Sequence, residues 1–511
     1  MLTFLENIIR LQMNKNRRIA KNTMFLYGRM LLSMIVTLYT SRVVLNTLGA
    51  SDFGIYNVVT GFVVSFGFLN SAMHTSVQRF LTVEMKENNH ERLNQIFSMG
   101  VTIHLILALA MVIIAEPIGL YFVQTKLVIP LERMEAALWI FHLSVIVLFF
   151  GIMNVPYKAL IIARENMGAF AAISLIEVFA KLAIAIALVY SILDKLILYG
   201  VLLMIVAVTI QLFYMWYCIS HYEEGKYKRF WNKKLFGEMS CFAGWNLIGV
   251  FAGIVYNQGV NIVLNIFGGP IVNAARAIAF QVSGAANQLV TNFQLATNPP
   301  IMKAYATGDK SVFRLLSSSS KLSYILLLFI VIPFLLECSY VLKLWLKEVP
   351  EYSIMFVRLA MIDILVCSLA GPLHTLMQAT GSIRKYQIIV SGVLLMNLPL
   401  SYLMLKIGMS FDSTFYVSIS LSSIALVIRY CLLRSYVEYS VKELVLDFTI
   451  PIVILTIVSN IVPLVIYNYM EQGLFRLLIV CVTSWTSIAL VSWICVLDKN
   501  EKSLLLRIIK R

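Results

Sequence analysis

Charge is scarce in this chain: only 13% of its 511 residues are Asp, Glu, Lys or Arg, while 60% are hydrophobic. A soluble fold of that length needs far more polar surface, so a mean hydropathy of +0.84 excludes one and points to many membrane crossings. The seven cysteines (Cys218, Cys241, Cys338, Cys367, Cys431, Cys481 and Cys495) are scattered through apolar runs, without a CxxC pair or metal-ligand spacing. They read as small hydrophobes, and neither a disulfide nor a metal site is expected. The N-terminal stretch MLTFLENIIRLQMNKNRR lacks the order of a signal peptide, a basic region before an apolar core and a small-residue cleavage site. An amphipathic interfacial helix is expected there instead. Long outer links are missing too. Those at Gln124 to Arg133 and Lys347 to Tyr352 are too short for a domain outside the membrane. A membrane glycosyltransferase or polymerase would need an acid/base group or acceptor-binding loop beyond the hydrocarbon, and there is no room for one.

What is present is positive charge in particular places. The formal net charge is +15, and about 29 of the Lys and Arg residues fall in alternate links between apolar runs, the positive-inside signature. These links are Arg10 to Lys21, Arg79 to Arg92, Lys158 to Arg164, Lys226 to Lys234, Lys303 to Lys321, Arg384 with Lys385, Arg429 to Lys442 and Lys499 to Arg511. The excess is therefore an orientation signal and not a nucleic-acid surface. It places both termini of a multi-pass protein in the cytoplasm.

Windows of about twenty apolar residues predict fourteen transmembrane helices. The eighth, from Ile271 to Pro299, carries Asn273, Arg276, Ser283, Asn287, Thr291, Gln294 and Asn298 within about 80° on a helical wheel. Such a face cannot meet lipid, because an arginine on it costs roughly 2.5 to 3.5 kcal/mol in hydrocarbon. VLNTLG at Val44 to Gly49 returns as VLNIFG at Val263 to Gly268, an offset of 219 residues. The same offset lays Asn57 on Arg276, Thr75 on Gln294 and Arg79 on Asn298. Six helices separate equivalent points, so the repeats have the same orientation. The expected fold is all-α and polytopic, two six-helix bundles related by a pseudo-two-fold along the membrane normal. Its parts are an N-terminal segment 1–21, bundles 22–219 and 240–433 joined by a basic linker 220–239, a linker with two further helices 434–496, and a basic tail 497–511.

Other spans add polar stripes. Asn22, Arg29, Ser33, Thr37 and Thr40 share one face of the first helix, with Arg42 opposite and near enough to the outer end to snorkel. Asn246, Gly249, Gly253, Asn257 and Asn261 line the seventh, where the glycines serve equally well as a packing seam. Glu177 and Lys181 are spaced for an i, i+4 salt bridge. Asp363 and His374 lie eleven residues apart in the tenth span, on one face of a continuous helix. Asp363 is a natural seat for a coupling proton or cation, and Glu177, Lys181 and His374 are further candidates. No other cofactor is expected.

The stretch KNTMFLYGRMLLSMIVTLYTSRVVLNTLGASDFGIYNVV, then FGFLNSAMHTSVQRFL and GWNLIGVFAGIVYNQGVNIVLNIFGGPIVNAARAIAFQVSGAANQLVTNFQ, resembles the Wzx-type polysaccharide flippases of the multidrug/oligosaccharidyl-lipid/polysaccharide exporter superfamily. The resemblance is strongest over residues 15 to 310 and implies twelve to fourteen helices in two bundles around a cavity. It implies a transporter and not an enzyme, moving a polyprenyl-pyrophosphate-linked oligosaccharide for O-antigen or capsule synthesis. Cavity arginines of the lipid II branch are matched by position by Arg29, Arg79 and Arg276, with Asn57, Asn257, Asn261, Asn287 and Gln294 as sugar-binding amides. The implied partners are the lipid-linked oligosaccharide, membrane lipids, a polysaccharide polymerase and glycosyltransferases, around a monomer. A cation-coupled multidrug antiporter of the same superfamily is the alternative; it predicts carboxylates where these stripes carry arginine and amides.

Overall fold

The computed structural model describes residues 28–67, 90–164, 166–239, 251–294, 312–380, 384–440 and 448–498 continuously, with isolated positions between them and helical backbone alone over 2–27 and 240–250. The chain is all-helical and crosses the membrane many times. Its helices are α1 (Leu2–Ser65), α2 (His90–Thr125), α3 (Met134–Met153), α4 (Val155–Ala163), α5 (Met167–Val189), α6 (Lys195–His221), α7 (Lys233–Ile254), α8 (Val260–Ala306), α9 (Val312–Leu346), α10 (Ser353–Ser368), α11 (Gly371–Ala379), α12 (Ile383–Leu395), α13 (Asn397–Lys406), α14 (Ser413–Leu433), α15 (Ile450–Tyr469) and α16 (Leu474–Val491).

Among the described residues, twelve stretches are long and apolar enough to cross a membrane. Two of them, Gly28–Ser65 and Phe251–Gln294, contain a reversal at a glycine, Gly49 with φ 79° and Gly269 with φ 71°. Only glycine enters that backbone region without a Cβ penalty. Each of these stretches is thus two helices, which reconciles twelve stretches with the fourteen helices expected. The reversals also correct the register of the repeat. The sequence match pairs Gly49 with Gly268, but the chain turns one residue later, at Gly269. Counted from the turn, Tyr56 takes the place equivalent to Arg276, and Asn57 falls one residue past it.

The chain forms two compact units, Met1–Ile254 and Val255–Arg511, dividing at the end of α7. The core of the first includes Phe97, Leu160, Ile161 and Tyr214, all buried. Two of its helices, α5 and α6, start on side-chain caps: Asn166 accepts from the amide of Ala169 at 3.2 Å, and Asp194 from those of Leu196 and Ile197 at 3.0 and 3.1 Å. Arg133 ties Asp52 (2.6 Å) to Asp194 (2.5 Å), fastening the turn after Gly49 to the start of α6.

The second unit is built from interrupted helices, and two interruptions in α9 are repaired by side chains. Pro333 has no N–H for the carbonyl of Phe329, which accepts instead from the Trp485 indole at 2.9 Å. The backbone leaves helical geometry at Glu337, and the Leu335 carbonyl accepts from Arg358 Nε at 3.1 Å. Glu337 itself is fully buried and ion-paired with Arg476 at 2.6 Å, which holds α16 on α9.

Candidate functional site

In the first unit the polar residues of α1 meet those of α5. A cavity of about 260 Å³ is lined by Tyr56, Thr60, Ser144, Glu177 and Lys181 among others. Lys181 donates to Glu177 at 2.7 Å, the bond its i, i+4 spacing favours. Lys158 lies within electrostatic reach of Glu177, Lys181 and Arg29, with its ammonium 5.2 Å from the Tyr214 ring. Arg29 sits with its guanidinium 5.0 Å from the centre of the Phe170 ring. Its Nε is buried and has no hydrogen-bond partner among the described residues. Two lysines thus share the carboxylate of Glu177, and Arg29, within reach of Lys158, has a donor with no partner among the described residues: an arrangement short of negative charge. Lys158 escaped the sequence reading because it stands in a basic link and was counted only as an orientation charge. Asn57 spends its amide on the carbonyl of Phe53, 2.6 Å away in its own helix. Arg79 lies outside the described residues.

In the second unit the polar stripe of α8 divides. Asn273, Arg276 and Ser283 are buried at 0, 3 and 3% exposure, whereas Asn287 and Thr291 are exposed. The buried end is an amide clasp across Gly269: Asn273 donates to the Asn261 side chain at 2.8 Å and accepts from Asn265 at 2.9 Å. Arg276 lies between Phe280 (4.4 Å) and Phe415 (5.4 Å) and donates to the carbonyl of Asn257 at 3.2 Å. That carbonyl belongs to a π turn, Val255–Gly259, which shifts backbone groups out of ordinary helical pairing. The Asn257 side chain is exposed.

The same π turn presents Tyr256, which sequence periodicity did not single out. Its hydroxyl donates to Asp363 Oδ2 at 3.3 Å and lies 3.2 Å from Ser422 Oγ. Asn397 donates to the Tyr256 carbonyl at 3.3 Å and to Ser418 Oγ at 3.1 Å. Asp363 Oδ1 is buried without a hydrogen-bond partner among the described residues. Arg276 is within electrostatic reach of both Tyr256 and Asp363. A buried carboxylate oxygen with spare lone pairs, on a group held by the Tyr256 and Ser422 hydroxyls, suits a proton or a small hard cation. Among the described residues no group of three His, Cys, Asp or Glu could hold a metal ion.

Asp363 and His374 stand on successive helices, α10 and α11. The tenth span is not one helix: Pro372 cannot donate to the carbonyl of Ser368, so α10 ends there and α11 begins at Gly371. His374 instead lies 3.0 Å from Gln378 and against the Tyr386 ring. Gln294 packs where a Cβ on Gly371 would lie and donates to Ser368.

No protein-family model matches this chain, and no curated protein sequence is significantly similar to it. The fold is shared with solved transporter structures. It is similar to the lipid II flippase MurJ in an inward closed conformation, with a TM-score of 0.66 and 14% identity over 96% of this chain and 100% of that one. It is also similar to a MATE protein in its straight conformation, with a TM-score of 0.57 and 12% identity over 82% and 95% of the two chains. A MOP superfamily transporter from Pyrococcus furiosus gives 0.56, at 13% identity over 81% and 95%.

Proposed function

We propose that this protein is a flippase that carries a polyprenyl-pyrophosphate-linked oligosaccharide from the cytoplasmic to the outer leaflet of the bacterial inner membrane by alternating access, for O-antigen or capsule synthesis. The observation that carries the reading is Lys158 standing within electrostatic reach of two further cations, Arg29 and Lys181, and of one carboxylate, Glu177, with the Arg29 Nε lacking a partner among the described residues. A pyrophosphate supplies the missing charge and the missing acceptors, and a guanidinium can hold it through two parallel bonds. The exposed amides Asn257 and Asn287 suit sugar hydroxyls. Asp363, with Tyr256 beside it, is the seat for a coupling proton or sodium ion. The polymerase and glycosyltransferases of the same surface polysaccharide are its working partners.

Likeness of fold to MATE proteins supports a second reading, a cation-coupled drug antiporter. It requires anionic sites for cationic drugs, and the first unit offers the opposite sign. Complementation of polysaccharide export in a deletion strain tests both. Arg29→Ala and Lys158→Ala, at normal membrane abundance, should each lower export at least about tenfold, the loss of one charge-assisted contact. Full export by both variants, or drug resistance conferred by the wild type without any rescue of export, overturns the flippase reading.

A further inference from the structure

A second cavity, of about 630 Å³, lies within the second unit, inside the range of small-molecule sites. It opens where the N-terminal ends of α9 and α15 meet the π turn Ser492–Val496 that follows α16, all at the ends of candidate spans. Lys321 lines it, is only 7% exposed, and has no hydrogen bond or ion pair among the described residues. Its ammonium is not among the buried atoms that lack a partner and keeps access to the cavity, where an anionic group can pair with it. Arg314 lines the same space, held at 3.5 Å from Asp498.

A simple anion does not fit the rest of the lining. Three carboxylates, Glu443, Asp498 and Glu501, face the cavity against the two cations. Each also caps a backbone amide at 2.8 Å: Glu443 that of Ser440, Glu501 that of Asp498, and Asp498 that of Glu501. Glu501 additionally accepts from Ser318. These bonds fix the carboxylates in place, and a carboxylate oxygen can accept from more than one N–H donor. Phe313, Leu446 and Pro451 complete an apolar wall. The site therefore asks for a phosphate, a hydrogen-bonding cation and an apolar stem in one molecule at the membrane border.

We infer that this cavity binds the headgroup of a zwitterionic glycerophospholipid bearing a primary ammonium, its phosphate on Lys321 and its ammonium among Glu443, Asp498 and Glu501. The site is independent of the flippase reading. Native mass spectrometry of the full-length protein in detergent, with phosphatidylethanolamine, phosphatidylcholine or phosphatidylglycerol added, tests it. Phosphatidylethanolamine should bind about tenfold more tightly than the other two, because choline has no N–H to donate and the glycerol head has no cation. Lys321→Met should weaken it about tenfold and Lys321→Arg should restore it, with monodispersity and thermal midpoint checked in each. The exposed Glu443→Gln, which spares the buried lysine, should narrow the preference over phosphatidylcholine if Lys321→Met does not fold. Equal retention of all three lipids, displacement of the lipid by excess inorganic phosphate, or an unchanged preference in both Lys321→Met and Glu443→Gln overturns the proposal.

Discussion

Gln294 Nε2 donates to the carbonyl of Ser368 at 2.9 Å, taking the place of the N–H that Pro372 lacks. One side chain on α8 thereby stabilises the break between α10 and α11. Gln294→Ala leaves that carbonyl unpaired and should cost about 1 to 3 kcal/mol. Pro372→Ala supplies a backbone N–H, so the double substitution should recover part of the loss. Thermal unfolding of the four proteins of this cycle measures it; strict additivity would mean that the two residues do not share the carbonyl.

The ion pair of Glu337 and Arg476 is buried at 0 and 8% side-chain exposure. Removing one member strands the other in a dry interior, at about 3 to 5 kcal/mol. Glu337→Gln and Arg476→Met should each destabilise the protein by that amount. Combined, they should lie much nearer the wild type in denaturant titrations.

Tyr256 and Asp363 make a functional prediction. Asp363→Asn should remove the dependence of transport on an imposed proton or sodium gradient, and Tyr256→Phe should weaken that dependence about tenfold, the worth of one hydrogen bond to a charged group. Asn287→Ala, exposed and remote from this cluster, should leave it intact. Flux into proteoliposomes at matched protein content reads the difference.

Asp194, in the link before α6, is raised by burial, but the stronger combined effect of Arg133 and the two helix-start amides holds its carboxyl below the usual aspartate range. A depressed carboxylate stabilises the fold above its unfolded pKa, and that contribution fades as pH falls through the lower folded value. The thermal midpoint of the wild type should therefore drop on acidification below about pH 4. Asp194→Asn should show a smaller drop there and a lower midpoint at neutral pH.

Much of this protein was legible in one dimension. The count of fourteen helices follows from apolar length, which the thickness of a bilayer imposes on any sequence. The Glu177–Lys181 bond follows from helical spacing alone, and the polar face of α8 from its periodicity. Other features depend on where chains meet. Periodicity cannot say which half of a polar stripe a neighbouring helix covers, so Arg276 between two phenyl rings and Asn287 in the open look alike on a wheel. It assumes an unbroken helix, and Pro372 divides the tenth span into α10 and α11. It is blind to a π turn, which alone brings Tyr256 to Asp363 and frees the Asn257 carbonyl for Arg276. Lys158 reads as an orientation charge until packing sets it beside Arg29 and Glu177. Local pattern determined which segments enter the membrane, because that choice is a transfer free energy summed residue by residue. Tertiary structure decided which polar groups find partners, because a hydrogen bond depends on distances between segments far apart in the chain.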